Sequence, residues 1–279
     1  MDRDEYRRTS LENWRMMAAG WERRRASIES GSAAVAEWLI RELAPQSGQT
    51  ILELAAGPGD TGFLAAPLIG EEGRLISTDF SPEMVEVGRR RGVELGLTNV
   101  DHLQMDAEHL ELEDDSVDGV ICRFAYMLMA DTAAALAETR RVLRPGGRLV
   151  LAVWRGPEKN PWVAIAGRVF VARGLAPPND PEAPGMFTMA ADERVQSLLG
   201  VAGFTEIRID DVPIVFVADD VPDYVSSARE TGGVFARAWE AASEDERVAI
   251  EEELAGAFVP YEADGGYELP GLALVVVAS

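Results

Sequence analysis

The chain has 279 residues, of which 47% are hydrophobic, and carries 26 basic against 48 acidic side chains for a net charge of −22 at pH 7. A globular protein with a sizeable core fits that composition, whereas a general binder of phosphate backbones or anionic bilayers would be repelled by its own field. The single cysteine, Cys122, leaves no internal disulfide and no cysteine-cluster metal site, no stretch reaches the roughly 18 apolar residues of a membrane span, and the charged start MDRDEYRRTS lacks the apolar run of a secretory signal, which points to the cytoplasm.

Residues 1–46 read as helical. Leu11, Trp14, Met17 or Ala18, and Trp21 recur at three- and four-residue steps, and a second helical segment, AAVAEWLIREL, ends before Pro45. From residue 50 short apolar runs alternate with helical stretches: TILEL, DTGFLAAPLI, RLISTD, SPEMVEVGRRRGVELG, NVDHLQMD, VDGVICRF, DTAAALAETRRVL and GGRLVLAVW. Such alternation predicts parallel strands covered by helices. Ser81-Pro82 supplies an N-cap with proline at the first helical position, and Arg144-Pro145-Gly146-Gly147 turns a helix into the next strand. Beyond Trp154 the spacing predicts an amphipathic helix in PWVAIAGRVFVARG and a loop in APPNDPEAPG. A helix in ADERVQSLLGVAGF, a β-rich TEIRIDDVPIVFVA, helices over 221–258 with a capping box at Ser243 and Glu246, and a last strand in GLALVVVAS complete the chain.

ILELAAGPGDTG holds Gly57-x-Gly59-x-x-Gly62, and Asp79 follows Gly57 by 22 residues. A strand before the glycines, a helix after them and a downstream acid make a βαβ nucleotide-binding turn. The acids around that turn bear on the ligand. A pyrophosphate needs free amides at a helix N-terminus without competing negative charge, yet Glu53 stands near the strand end and Asp60 at the helix start. A cofactor with a sulfonium, an ammonium and no phosphate suits those charges, and S-adenosylmethionine is one.

The motif order resembles the class I S-adenosylmethionine-dependent methyltransferases, in the small-molecule branch similar to ubiquinone/menaquinone-biosynthesis enzymes (methyltransferase type 11). ILELAAGPGDTG resembles the first motif of that family and TDFSPEM the second; QMDAEHL, then DDSVDGVICRF, resemble the third and fourth, and VLRPGGRLVLAVW the fifth, together covering residues 50–154. Ala55-Ala56 stands where many relatives have Gly-Cys or Gly-Ala. The resemblance implies an α/β fold, a doubly wound seven-stranded Rossmann-like sheet with N-terminal helices and helical lid insertions. It divides into a cap over 1–46, a cofactor-binding core over 47–154, an insertion over 155–190, and a C-terminal part over 191–279 with a helical insertion at about 221–258. It also implies roles. Glu53, Ala55, Gly57 and Gly59 face the methionine moiety; Asp79 takes the ribose hydroxyls; Phe80 and Met84 pack on the adenine; Asp106 and the Ala107 amide meet its edge; Arg123 and Phe124 lie under the methionine end. Trp14 and Trp21 read either as a helix packed on the sheet or as a lid over the cofactor pocket, where an aromatic face suits a sulfonium. Trp14, Met17, Tyr126 and Met127 are candidates for the acceptor pocket, the last two being equally readable as core.

No general base is evident from spacing, and no metal-ligand constellation stands in the sequence. The expected chemistry is therefore methyl transfer to a small-molecule acceptor by in-line displacement, driven by proximity and orientation, with S-adenosylhomocysteine as the product. His102 and His109 are the two histidines, the first in an expected strand and the second in a loop. Arg23-Arg24-Arg25 and Arg89-Arg90-Arg91 read most simply as solvated helix faces. Two other readings stay open: a non-catalytic module that binds S-adenosylmethionine, and a nicotinamide or flavin oxidoreductase, against which Glu53 and Asp60 argue. Partners other than a small molecule, whether nucleic acid or membrane, are not expected, and the oligomeric state is open between monomer and homodimer.

Overall fold

β1 (Thr50–Leu54), β2 (Arg74–Asp79) and β4 (Val117–Arg123) are short apolar runs buried on both faces, as central parallel strands require. With β3 (Val100–Gln104) and β5 (Leu143–Trp154) they form a parallel sheet in the order β3-β2-β1-β4-β5. The sheet continues through β8 (Gly266–Ala278), antiparallel to β5, to β6 (Arg208–Ala218) at the edge. A two-residue strand, β7 (Glu262–Ala263), folds back on β8 as a hairpin, so the sheet has eight strands where seven were expected. The computed structural model describes residues 2–178, 180 and 183–279, and the expected loop at 176–185 falls partly outside the described residues.

The crossovers are α2 (Gly62–Ile69), α3 (Pro82–Glu94) and α4 (Thr132–Val142). Ser81 caps α3, its hydroxyl accepting from the Met84 amide, with Pro82 at the first helical position. Arg144-Pro145-Gly146-Gly147 enters β5 through a register shift opposite Val117 and Gly119, with Gly146 at φ +80°. Sequence order reverses between β1 and β4, which lie side by side with Leu54 opposite Cys122. In open α/β sheets the crevice beyond the strand ends at this reversal is where ligands bind.

The N-terminal region departs from the expected pair of helices. A single helix, α1 (Arg3–Leu43), runs through Ser30-Gly31-Ser32 without a break and stops at Ala44 in the left-handed region, ahead of Pro45. Gly31 is a point of close approach and not a hinge: a Cβ there would lie 2.6 Å from Phe216 Cδ1 on β6. The second half of α1 sends Val35, Trp38, Leu39 and Leu43 into the main core. Its first turns lie elsewhere. The Tyr6 hydroxyl donates to the Leu128 carbonyl (2.8 Å), Arg7 Nε to Glu108 Oε2 (2.9 Å), and Arg3 pairs with Asp131. α1 therefore runs from the core to the loops that follow β3 and β4.

The remaining helices are α5 (Pro161–Ala172), α6 (Asp192–Ala202), α7 (Val221–Thr231), α8 (Gly233–Ala241) and α9 (Glu244–Phe258). The capping box of Ser243 and Glu246 starts α9. α5, α7, α8 and α9 pack together around Phe170, Tyr224, Trp239, Leu254 and Phe258, a second core distinct from that of the sheet. Tyr224 ties α7 to α5 by donating to the Trp162 carbonyl at 2.7 Å. A contact 62 residues apart in the sequence thus joins these segments into one body. No helix among the described residues is long and apolar enough to cross a membrane.

Candidate active site

Leaving β1, the chain turns through Ala55 at φ +50°, Gly57 at φ +54° and Gly59 at φ +88°, three left-handed residues in five. A Cβ on Gly59 would overlap the Phe63 ring, whereas one on Gly57 would project into open space. The loop is fastened to β2: the Ala56 amide donates to the Thr78 carbonyl (2.8 Å) and the Gly57 amide to Asp79 Oδ2 (3.0 Å). Asp79 Oδ1 accepts from the Ser81 amide at 2.9 Å. Burial pushes the Asp79 carboxyl up to about 6, against the pull of the Ser81 and Gly57 amides.

Glu53 lies at the centre of this arrangement and is buried. Its Oε1 accepts from the Gly62 amide at 2.7 Å, and its Oε2 has no hydrogen-bond partner. Gly62 is needed because a Cβ there would overlap that carboxylate. Burial lifts the Glu53 carboxyl to about 7, a rise restrained by the Gly62 amide and by Arg123. Beside it Asp60, also buried, has neither carboxylate oxygen hydrogen-bonded, and Thr61 Oγ1 is unpartnered too. Arg123, the last residue of β4, brings Nη2 to 3.8 Å from Asp60 Oδ2 and donates through Nη1 to Ser32 Oγ on α1. Burial lowers the Arg123 pKa and raises that of Asp60, while each charge opposes the other's shift. Three carboxylate oxygens are therefore buried without donors, and unpaired buried acceptors are costly. They suit a ligand that brings N–H donors and positive charge.

The other expected residues distribute unevenly around this cluster. Phe124 follows Arg123 at φ +58°, a conformation rare for a bulky side chain, and stacks on Trp154 with centroids 3.9 Å apart and planes at 4°. Met84 is buried under α1 with Ala18 and Val87, and Trp14 and Trp21 pack against it, their rings 5.7 Å apart. Trp21 Nε1 donates to the Thr231 carbonyl at the end of α7 (3.0 Å), and Met17 lies beside Gly233 at the start of α8. Phe80 and Ala107 are half-buried, while Asp106 is exposed and its carboxylate accepts from the Glu108 amide at 2.9 Å.

Tyr126 and Met127 do not line a pocket. Both are buried in the main core, and the Tyr126 hydroxyl is 2.7 Å from Thr139 Oγ1 of α4. Both belong to the short turn Tyr126–Leu128 that follows β4. His102 packs edge-on to Phe63 and faces Gly88 and Gly92 of α3, a structural position. Ser32 and Thr61 were not singled out in the sequence. Ser32 lies 91 residues from Arg123, so no spacing pattern could reveal the contact, but Thr61 lies inside the glycine motif, whose spacing is the signal for it.

Residues 35–162 match the ubiE/COQ5 methyltransferase family. This segment is similar to the methyltransferase core of ubiquinone-biosynthesis enzymes. The ubiquinone/menaquinone biosynthesis C-methyltransferase UbiE of Coxiella burnetii is 33% identical over 130 residues, 46% of this chain and 52% of the relative. The chain thus spans about half the length of the curated relatives it matches. Among solved structures, the YcgJ protein of Bacillus subtilis superposes with a TM-score of 0.60 at 21% identity, over 87% of this chain and 96% of that one. A geranyl diphosphate C-methyltransferase of Streptomyces coelicolor, solved with S-adenosyl-L-homocysteine, gives a TM-score of 0.53 at 16% identity, over 88% of this chain and 79% of that one. Both share the fold over most of this chain.

Proposed function

We propose that the protein is a cytoplasmic enzyme that transfers the methyl group of S-adenosylmethionine to a small-molecule acceptor. The observation that carries this reading is the set of donor-less carboxylate oxygens on Glu53 and Asp60 at the β1–β4 reversal. They fit the ammonium of the cofactor, and a diphosphate placed beside them would be repelled. Asp79 has lone pairs left after its two amide bonds to accept from ribose hydroxyls. Phe80, half-buried, offers apolar surface to the adenine, with Asp106 and the Ala107 amide at its edge, whereas Met84, buried under α1, offers none.

The cofactor supplies a methyl group already activated on a sulfonium, so the residues around it have to bind, orient and exclude water. The glycine turn lets the backbone approach closely, and the second helical core beside α1 supplies walls for the acceptor. An acceptor that has already lost its proton, or holds it weakly, needs no base in such a site.

Isothermal titration is expected to show binding of S-adenosylmethionine and S-adenosylhomocysteine but not of NADH, and incubation with small-molecule extracts is expected to release S-adenosylhomocysteine. Asp79→Asn should weaken both ligands about tenfold through loss of charged hydrogen bonds. Absence of binding to either ligand removes the proposal, and binding without turnover on any extract leaves the sensor reading in its place.

A further inference from the structure

The turn after β3 is clasped from two sides. At its far end the Leu110 amide donates to Glu138 Oε2 of α4 (2.8 Å), and Arg141 Nη2 donates back to the Leu110 carbonyl (2.9 Å). At its near end the clasp is Glu108, whose side chain is 7% exposed. Its Oε2 accepts from both Nε (2.9 Å) and Nη2 of Arg7 on α1, and its Oε1 accepts from the Asp131 amide ahead of α4 (3.1 Å). The Glu108 amide in turn donates to Asp106 Oδ1 at 2.9 Å, so one residue joins α1 to the acid read as meeting the adenine. That bond fixes one oxygen of Asp106 and leaves lone pairs on the other for a ligand. Arg7 also acts on Asp106 directly: its hydrogen bonds to Glu108 raise the arginine's pKa, and the Asp106 charge adds to the rise. The other charges alongside are already paired, Asp4 with Arg7 (2.8 Å) and Asp131 with Arg3.

The helix on the other side of this clasp is lightly held. α1 has no buried residue before Met17, and its first turns meet the body largely through polar contacts: Arg3 with Asp131, Tyr6 with the Leu128 carbonyl, Arg7 with Glu108 and Arg15 with Glu83. Exposed ion pairs contribute little each, and segments held by them open at small free-energy cost. Glu108 is the exception, because without Arg7 its carboxylate would stay mostly buried with a single amide for a partner.

We propose that Glu108 is a positioning residue for the adenine edge: held by Arg7, it sets Asp106 and the Ala107 amide in place, so that seating of the first turns of α1 and binding of the cofactor's adenine strengthen each other. The role presupposes the reading of the cofactor as S-adenosylmethionine and goes beyond it, since recognition of one exocyclic amino group is tied to a residue 101 positions away in the chain. Linkage makes the effect reciprocal: the factor that the seated helix adds to adenine affinity is the factor that bound adenine adds to the seating. Both donors of Arg7 converge on one oxygen, so a point charge can serve there, unlike a site that needs the guanidinium fork.

S-adenosylhomocysteine and its 6-desamino analogue, with purine in place of adenine, isolate the contact to Asp106, because they differ only in the amino group that would donate to it. Titration on the full chain gives the two binding constants, and amide hydrogen exchange in the first turns of α1 reports their seating. The unaltered protein is expected to prefer S-adenosylhomocysteine about 20-fold, and its binding should slow exchange in those turns. Arg7→Ala is expected to weaken S-adenosylhomocysteine about tenfold and the analogue less than about twofold, and to abolish the slowing. Arg7→Lys should restore most of both effects. Glu108→Gln should repeat the Arg7→Ala result, and the two changes together should cost no more than either alone. A loss shared equally by the two ligands, an unchanged S-adenosylhomocysteine constant, or additive losses in the double variant overturns the proposal. So does an unaltered protein that binds both ligands equally, which would take the amino group away from Asp106 while leaving the cofactor reading intact. Failure of that reading looks different, since neither ligand would then bind at all.

Discussion

Replacing Glu53 by glutamine is expected to raise the stability of the ligand-free protein at pH 8 and to weaken its binding of S-adenosylmethionine about a hundredfold. The Glu53 carboxyl is lifted from 4.5 to about 7 by burial. The folded state therefore holds this proton more tightly than the unfolded chain does, and stability falls as pH rises from about 4.5 through 7. By pH 8 the ionised carboxylate costs about 3 kcal/mol relative to the neutral acid. Glutamine is neutral at every pH, keeps an oxygen for the Gly62 amide, and escapes that cost. Melting curves should coincide at pH 5 and separate by roughly 5–10 °C at pH 8, with the variant the more stable.

Binding runs in the opposite sense. A cationic ligand prefers the carboxylate, so it must expel the proton from Glu53 below pH 7, and the affinity of the unaltered protein should climb between pH 6 and 8. That climb should vanish in Glu53→Gln, leaving only the part at lower pH that belongs to Asp79, whose carboxyl is raised to about 6. Titration in buffers of different ionisation enthalpy reads the released proton directly. A variant no more stable than its parent at pH 8 would show that Glu53 is already compensated in the free protein.

What the sequence disclosed and what it concealed divide along a physical line. The parallel sheet was legible because its strands are buried on both faces and must be continuous apolar runs, and because Ser81-Pro82 and Ser243 with Glu246 mark helix starts by local hydrogen bonds. That Glu53, Asp79 and the glycines come together was legible because a βαβ turn confines them to a few adjacent positions and one neighbouring strand end. The continuity of α1 was not, since Ser30-Gly31-Ser32 looks like a break until Phe216, 185 residues away, is seen to need the missing Cβ. The union of α5 with α7, α8 and α9 was equally hidden, as amphipathic periodicity tells which face is buried but not against what. Tyr126 and Met127, readable from the sequence as pocket or core, stayed undecided for a related reason. A polar hydroxyl beside a strand end suggests a site, and only the Thr139 partner shows that its hydrogen bond is already made in the core.

The glycines of the turn should separate folding from binding in opposite proportions. Gly57 adopts φ +54°, and a Cβ there meets nothing within 4 Å. Gly57→Ala should therefore cost the free protein only the strain of a left-handed alanine, about 1–2 kcal/mol. The new methyl would stand in the concavity that the backbone keeps open for the ligand, and S-adenosylhomocysteine affinity should fall at least about a hundredfold, since overpacked contacts in a closed site cost several kcal/mol. Gly62 is helical, pays no such strain, and even gains about 1 kcal/mol of helix propensity as alanine. Its Cβ would nevertheless overlap the buried Glu53 carboxylate, pressing that group off the Gly62 amide that holds it. Gly62→Ala is expected to lose about 2–4 kcal/mol of stability in denaturant titrations, the overpacking and the broken buried hydrogen bond outweighing the propensity gain. The loss should be larger at pH 8 than at pH 5, because only the ionised carboxylate depends strongly on that amide. A Gly57→Ala protein that binds S-adenosylhomocysteine as tightly as its parent would move the ligand away from the turn, whatever the fate of Gly62.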